Sequence, residues 1–515
     1  MATRKKRPSL RLLRRKNPSP DTTAMKTFFL LTVAMATLVG GCMRAGTDYV
    51  RPKATLPAAY VESGPWKEAA PSDEVIRGKW WEVYGDPVLN RLEEQARLSS
   101  PRIQAAAARV DQARAVLGFT EAGRYPTLDF SPDASRYRVS GNRPDQPSKV
   151  PGNQEYTTSR HRLPLYASYE VDLWGKVSRL EESASRRMEA SVAAYHGVLL
   201  ILQSDLAQNY FQLRAADEEL LLLTRGIELR ERARDLVGSR KRGGLASELD
   251  LARVETELAA TQSEAQAALR RRNDLRHALA VLTGAMPGPF ELEVQAFVPQ
   301  PPLIPVGMPA DLLERRPDVA EAERLLSARN ADIGVAQAAL FPSIKLTGAL
   351  GFESAELSDL LNRDSQVWLL GASLVQPLFD GGRLRSNVDR ARAVYAENLA
   401  YYRERLLVAF GEVETALSAL RILDLQHASQ LRAVNSAERA EQLATARYKF
   451  GLVNVLELVD AQRTRLQVER GRLLVRQQQM LASVTLIRAL GGGWAERRDA
   501  SGTAWIMPAK QAPGG

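Results

Sequence analysis

The stretch RGGLASELDLARVET, residues 242–256, returns in altered form as KFGLVNVLELVDAQR, residues 449–463. Superposing Gly244 on Gly451 aligns three leucine pairs and places Asp250 opposite Glu457. A glycine between two long helical patterns suits a chain reversal, because glycine readily adopts the backbone conformations that end a helix. The stretch therefore predicts a hairpin of helices that the chain builds twice, and two structural repeats.

The similarity extends well beyond these two strings. Pro101 aligns with Pro317 at an offset of 216 residues, whereas Gly284 aligns with Gly491 at an offset of 207. The change in offset requires an insertion in the first half, and residues 141–154 have the composition of an exposed loop that tolerates one.

Each half contains the same succession of predicted elements. An opening helix begins at the aligned proline and ends before Tyr-Pro or Phe-Pro. Residues 165–173 and 343–352 then alternate apolar and polar, as in the wall of a membrane β-barrel. Their partner strands, around 127–139 and 366–378, are less regular.

Two very long segments without proline follow the strands, at 165–286 and 378–507. Leucines recur in them at spacings of three, four and seven residues, which is helix periodicity. A helix from about 177 to 238 would be about 90 Å long, and such length indicates coiled-coil packing.

Four strands cannot close a barrel, since the smallest membrane barrels have about eight and a sheet edge in lipid must be paired. The predicted fold class is therefore an α+β membrane protein that forms a homotrimer. Three protomers would contribute four strands each to a 12-stranded β-barrel, continuous with a long α-helical coiled-coil barrel.

The N-terminus has the pattern of an export signal. A lysine, an apolar run from Phe28 to Val39 and small residues precede Cys42, the only cysteine. LVGGC resembles the lipobox of bacterial lipoproteins, which implies that Cys42 is acylated and that outer-membrane lipid is a partner. Residues 1–41 form the predicted signal peptide. The alternative for residues 1–24 is a start codon assigned too far upstream, with Met25 as the true first residue. No other stretch is apolar enough to predict a transmembrane helix.

Charge and composition exclude several other classes of function. Nine of the lysines and arginines lie in residues 1–41, and removing that segment leaves a net charge of +2 instead of +10. The charge of the remaining chain therefore does not indicate a nucleic-acid partner. The four histidines are scattered without metal-ligand spacing, and the glycine pair 381–382 lacks the lysine of a phosphate-binding loop. The sequence predicts neither an enzyme nor a metal or other cofactor.

Several segments resemble the outer-membrane efflux protein family, the TolC-like channels, and most closely the lipoprotein branch that serves resistance-nodulation-division (RND) pumps. The resemblance covers about 47–494. Its characteristic segments are 48–52, 80–92, 169–180 and 307–351, the last with the core Leu312-Leu313-Glu314-Arg315-Arg316-Pro317-Asp318. It implies a trimeric barrel in the outer membrane joined to a helical tunnel through the periplasm.

The predicted organisation combines the repeats with this resemblance. Seven prolines between 287 and 309 mark the linker, which the resemblance places with both chain ends in a belt around the tunnel, packed by Trp80 and Trp81. The segments are signal peptide 1–41, acylated N-terminal segment 42–98, first repeat 99–286, linker 287–314, second repeat 315–494 and tail 495–515.

Two sets of site residues follow. Glu457 and Asp460 share a helix face, and the resemblance implies that three copies of the pair form an acidic periplasmic gate. The alternative is a solvated helix face on which Arg463 pairs with Asp460, and Asp250 is a weaker gate candidate. The resemblance also implies that the tips dock a periplasmic adaptor (membrane fusion) protein through Gly244, Leu245, Ser247, Gly451, Leu452 and Asn454.

The predicted function is a passive exit duct of a tripartite efflux system, energised by an inner-membrane RND transporter. One alternative is a type I secretion duct for proteins. The other is a periplasmic coiled-coil scaffold without a pore, which would leave the alternating strands unexplained. The sequence does not identify the substrate.

Overall fold

The structure, a computed structural model, describes residues 44–53, 79–140, 155–296, 300–302, 304 and 316–492. The predicted signal peptide, Cys42, the loop 141–154, most of the proline-rich linker and the tail after 492 lie outside the described residues.

The described chain contains seven α-helices and five strands. In chain order these are α1 (Pro87–Ser99), α2 (Pro101–Glu121), β1 (Thr127–Phe130), β2 (Asp133–Val139), β3 (Tyr156–Val171), α3 (Lys176–Arg242), α4 (Glu248–Leu282), α5 (Pro317–Ala338), β4 (Ser343–Ser354), β5 (Gln366–Val375), α6 (Arg383–Lys449) and α7 (Val455–Ala489).

The two repeats have helical hairpins of equal length. Helices α3 and α6 each have 67 residues, and α4 and α7 each have 35. At 1.5 Å per residue the outgoing helices are about 100 Å long and the returning helices about 52 Å. Each returning helix therefore ends about halfway along its partner.

A second helix begins beside the end of each returning helix. After α7, Arg316 at the start of α5 donates a hydrogen bond from Nη1 to the carbonyl oxygen of Ala489 (2.9 Å). After α4, Gly284 lies so close to the carbonyl of Ser99, just before α2, that a side chain there would clash. The carbonyl groups left over at a helix end are thus satisfied or covered at this junction.

The strands form one antiparallel sheet in which β3 pairs with β4, and β4 with β5. Both β1 and β2 pair with β3 in a single continuous register, from Thr127 opposite Ser168 to Val139 opposite Tyr156. They are one strand interrupted where Pro132 and Pro164 lack the N–H groups that a ladder needs. The protomer therefore contributes four strands, as predicted.

Strand β3 differs from its predicted bounds. It begins at Tyr156, nine residues before the predicted 165, and ends at Val171 instead of 173. The first half of the strand escaped prediction because Arg160, His161, Arg162 and Pro164 interrupt the alternation of apolar and polar residues.

The register separates the sheet into two faces. Residues directly opposite each other in antiparallel strands point to the same side. One face carries the row Phe130, Leu165, Leu350 and Trp368 and further apolar rows on either side of it. The opposite face carries the predicted polar residues, among them Ser168, Glu170, Lys345 and Thr347. We call these the outer face and the inner face.

The main apolar core lies in the middle of the long helices. Trp80 and Trp81 are 1% and 2% exposed, which confirms that they fill the core. The indole nitrogen of Trp80 donates to Gln203 Oε1 (3.2 Å), and the ring of Tyr84 lies 4.8 Å from that of Phe211. The segment before α1 is thereby fixed against α3.

A buried charge cluster joins this core to the linker. Asp217 on α3 is fully buried and accepts hydrogen bonds from Arg214 Nη1 (2.8 Å) and Arg272 Nε (2.6 Å). Arg214 also donates to the carbonyl of Glu293, and Arg272 to that of Leu292. One carboxylate therefore holds two helices and the start of the linker together.

One described helix has a segment long and apolar enough to cross a membrane. Helix α3 contains an 18-residue window with a mean hydropathy of 1.2, of which 44% is buried inside the protein. The sequence expectation concerned runs of consecutive apolar residues, and this window average does not contradict it. Packing accounts for the composition, because Leu202, Leu206 and Phe211 of α3 are buried in the main core.

The same helix carries a half-buried histidine that makes stability depend on pH. Burial lowers the pKa of His196 from 6.5 to about 4. Protons therefore bind the unfolded chain at higher pH than the folded one, so stability is complete above pH 6.5 and falls as the pH is lowered to 4. The expected loss is about 3 kcal/mol, measured as the unfolding free energy or melting temperature of the purified protein in detergent.

His196→Gln should remove this acid-dependent step, because glutamine does not titrate. His277→Gln is the matched control, since His277 is exposed on α4. Equal pH profiles for wild type and His196→Gln would contradict the prediction.

Candidate functional site at the helical tips

The two helical hairpins reverse through the same backbone geometry. Gly244 and Gly451 have φ of +77° and +72°, the left-handed region that favours glycine. Each outgoing helix ends in the same pair of hydrogen bonds, and in the first repeat the N–H of Leu245 donates to the carbonyl of Arg240 (2.8 Å). In the second, the N–H of Leu452 donates to the carbonyl of Arg447 (2.9 Å). This is the Schellman motif.

The residues after the glycines start the returning helices. Ser247 caps α4 by accepting a hydrogen bond from the N–H of Asp250 (3.1 Å), and the carboxylate of Asp250 accepts one from the N–H of Ser247 (3.0 Å). The side chain of Asn454 accepts from the N–H of Glu457 (3.2 Å) at the same position of α7. Ser247 and Asn454, predicted as docking residues, therefore have a defined structural role as helix caps.

Large apolar side chains remain exposed at both tips. Leu245 is 81% exposed and Leu452 68%, and Leu249, Phe450 and Leu456 are also exposed. We call these five residues the tip patch. The predictions named only Leu245 and Leu452, although the alignment of Leu249 with Leu456 at the repeat offset was a usable signal for two of the others.

A small core beneath the tip patch fastens the two hairpins together. It contains Ala233, Val237, Val254, Tyr448, Val455 and Leu458. Arg240 of the first hairpin lies with its guanidinium 4.5 Å from the ring centre of Tyr448 and donates from Nη2 to the carbonyl of Lys449 (3.0 Å). The tips therefore pack as one unit.

The predicted gate acids lie on the first turns of α7, and each has a basic neighbour within the chain. Glu457 is 3.7 Å from Arg447, and Asp460 is 3.0 Å from Arg463. All four side chains are more than half exposed, so each pair contributes only about 0–1 kcal/mol. The Asp460–Arg463 contact is the one expected for a solvated helix face.

Asp250, the weaker gate candidate, is engaged in the cap of α4. Its hydrogen bonds with Ser247 lower its pKa from the ordinary value of an aspartate. Its role at the tip is to start the returning helix.

At the other end of α3, the first described residues are clamped to the base of the sheet. The N–H of Ala45 donates to the carbonyl of Trp174 (3.0 Å), between β3 and α3. The buried side chain of Arg179 donates to the carbonyl of Ala45 (3.0 Å) and pairs with Asp48 (3.0 Å). The chain three residues after Cys42 is thus fixed at the junction of strands and helices.

Comparison with known proteins identifies the class of protein to which this fold belongs. The family model described as outer membrane efflux protein matches residues 92–285 and 308–492. This chain belongs to the outer membrane efflux protein family, a family of transport proteins and not of enzymes.

Two relatives illustrate the extent of the similarity. The pyoverdine export outer membrane protein OpmQ of Pseudomonas putida is 35% identical over 418 residues, covering 81% of this chain and 88% of that protein. The outer membrane protein OprJ of Pseudomonas aeruginosa is 32% identical over 482 residues, covering 92% and 97%.

Solved structures agree with the sequence relatives. The outer-membrane channel OprN has a TM-score of 0.80 at 30% identity, covering 87% of this chain and 99% of that one. The Campylobacter jejuni CmeC outer membrane channel has a TM-score of 0.82 at 25% identity, covering 89% and 97%.

These likenesses confirm the predicted fold class, a trimeric outer-membrane channel with a β domain joined to a helical barrel. They also confirm the predicted function and location: the protein is an outer-membrane efflux channel that extends into the periplasm. The roles of the individual tip residues stay predictions.

Proposed function

We propose that three copies of this chain form the exit duct of a tripartite efflux system, with a periplasmic adaptor docked on the helical tips and an inner-membrane RND transporter as the source of energy. The observation that carries the proposal is the junction of a sheet with an apolar outer face to helices about 100 Å long. Such helices bridge a periplasmic distance that the sheet alone does not.

Unpaired edges on the sheet support assembly of copies. In the described chain β5 and the combined β1–β2 strand each have only one neighbour, and β5 is exposed along all ten residues. Pairing β5 of one copy with β1–β2 of the next satisfies both edges, as a hydrocarbon surrounding requires. Three copies close a barrel of twelve strands.

The tip patch supports docking of the adaptor. Five exposed apolar side chains around two tight turns offer a surface that water solvates poorly, and such patches mark interaction sites. The glycines leave the two turns compact, so a partner hairpin meets backbone and leucine side chains first.

The clamp around Arg179 supports anchoring through Cys42. Because the chain is fixed at the base of the sheet from residue 44 onward, acyl chains on Cys42 would enter the membrane that surrounds the sheet. The anchor supplements the barrel, and more than one acyl chain makes it stable.

The transported class that fits best is small organic molecules. OpmQ is named for pyoverdine export, and another relative, ArpC of Pseudomonas putida, for antibiotic efflux. These observations favour an efflux duct over a type I secretion duct for proteins. We assign the chain no catalytic role and no cofactor.

Single-channel recording tests the pore directly. Purified trimers inserted into planar bilayers are expected to show discrete conductance steps. Well-folded trimers that give no steps would overturn the duct and favour a scaffold.

The docking role of the tips has its own test. Leu245→Glu/Leu452→Glu places six carboxylates in the tip patch of a trimer, so we expect efflux to be abolished while trimers and bilayer conductance persist. The measurement is resistance to an exported organic antibiotic in cells whose only outer-membrane efflux channel is the variant.

Thr256→Glu is the control, because it adds a carboxylate to the exposed face of α4 outside the tip patch. It should leave resistance unchanged. Full resistance in the double leucine variant would contradict the proposal that the adaptor docks at these leucines.

A further inference from the structure

The outer face of the sheet changes from apolar to polar along the combined β1–β2 strand. Its successive outer-face residues are Leu128, Phe130, Pro132, Ala134, Arg136 and Arg138. The neighbouring strand β3 changes at the same level, from Leu165 and Leu163 to His161, Ser159 and Thr157. The boundary between apolar and polar rows therefore lies at the same level on both strands.

The apolar rows have the height of a membrane barrel. They extend on β3 from Val171, next to the helices, to Leu163, which is eight residues or about 26 Å along the strand and about 20 Å of height at the usual strand tilt of about 40°. An apolar band in outer-membrane barrels is about 25 Å tall. Arg136 lies four residues, about 13 Å along the strand, beyond Pro132 on the side away from the helices.

This position corresponds to the headgroups of the outer leaflet. The helices leave the sheet on the periplasmic side, so the opposite end of the strands faces the cell exterior. The headgroup region adds several ångströms to each side of the hydrocarbon core, and strand tilt shortens the 13 Å measured along the strand.

Each face of the sheet carries one ion-paired arginine near this level. On the inner face, Arg162 is neutralised by Asp133, whose Oδ1 lies 2.6 Å from its Nε. On the outer face, Arg138 pairs with Glu155. Within the described residues no carboxylate lies within ion-pair distance of Arg136, and its side chain is exposed.

We propose that the outer face of β2, with Arg136 at its centre and Arg138 beside it, binds the phosphate groups of the phosphorylated glycolipid in the outer leaflet. The inference rests on the outer-membrane location of the channel. A guanidinium directly above an apolar band fits a lipid whose acyl chains cover that band and whose phosphates lie at its edge. A trimer presents three such surfaces around the barrel.

The test measures binding of purified trimers in detergent to lipid A carrying two phosphates, with dephosphorylated lipid A as the comparison. The wild type should bind the phosphorylated form more tightly. Arg136→Gln/Arg138→Gln should lose about tenfold or more of that affinity and bind both lipids alike. Arg160→Gln is the matched control, because Arg160 lies on the inner face opposite Ser135 and should bind as the wild type does.

Equal affinity of the wild type for both lipids, or an unchanged affinity in the double variant, would overturn the proposal. Conductance in phospholipid bilayers is recorded on the same preparations. A wild type that forms no pore would count against the channel itself. A trimer that forms a pore but binds phosphorylated and dephosphorylated lipid A alike would overturn only the proposed glycolipid-binding surface.

Discussion

Asp217→Ala is expected to lower the free energy of unfolding by about 3–5 kcal/mol per protomer, the largest effect on stability that we anticipate for a single substitution. The carboxylate is fully buried between Arg214 and Arg272, which are themselves only 4% and 6% exposed. Removing it leaves two buried guanidinium groups without their counter-charge. The linker carbonyls of Glu293 and Leu292 do not replace a full negative charge.

Denaturant unfolding of purified trimers, followed by the helical circular dichroism signal, measures the change. Asp235→Ala is the matched control on the same helix, because Asp235 pairs with Arg234 at the surface and is 68% exposed. The control should differ from the wild type by at most about 1 kcal/mol. A similarly small change in Asp217→Ala would show that the buried cluster contributes little beyond its packing.

Glu457→Ala/Asp460→Ala is expected to raise single-channel conductance several-fold, the largest effect on the pore itself that we anticipate. In a trimer the two positions supply six carboxylates close to the tips. Each acid is paired with an arginine in its own chain, but the pairs are exposed and weak, so the arginines can exchange between neighbouring chains. Such exchange would hold the entrance narrow, and deleting the acids would release it.

Asp250→Ala is the comparison, since this carboxylate occupies the equivalent position of the first repeat and serves the cap of α4. It should cost about 1 kcal/mol of stability and leave conductance near that of the wild type. If the double variant has the conductance of the wild type, and if a change of cation does not alter that conductance, the channel assignment stands and the gate assignment is wrong.

The architecture could be predicted from the sequence because its decisive features are local. A left-handed residue after a long helix demands glycine, so Gly244 and Gly451 mark the reversals in the sequence itself. Leucine spacing gave helix α3 almost its full length, predicted as about 177–238 and found as Lys176–Arg242. Strand β3 was predicted only in the half where membrane and water impose alternation.

The contacts that fasten the site together were not predictable, because they depend on which residues of distant segments meet. Arg240 and Arg447 are equivalent in the repeats, yet Arg240 reaches Lys449 in the other hairpin while Arg447 faces Glu457 in its own. Nothing in the local sequence distinguishes these two arginines. The same holds for Asp217, whose two arginine partners lie three and 55 residues away along the chain.

The equal lengths of the two helical hairpins restrict which sequence changes the protein tolerates during evolution. Deleting one residue from α3 would raise its tip by about 1.5 Å and rotate everything beyond the deletion by about 100°. The tips would then lie at different levels, and Arg240 would no longer reach Lys449. We therefore expect the helices to diverge by substitution, and insertions and deletions to be tolerated in the loops and at the chain ends.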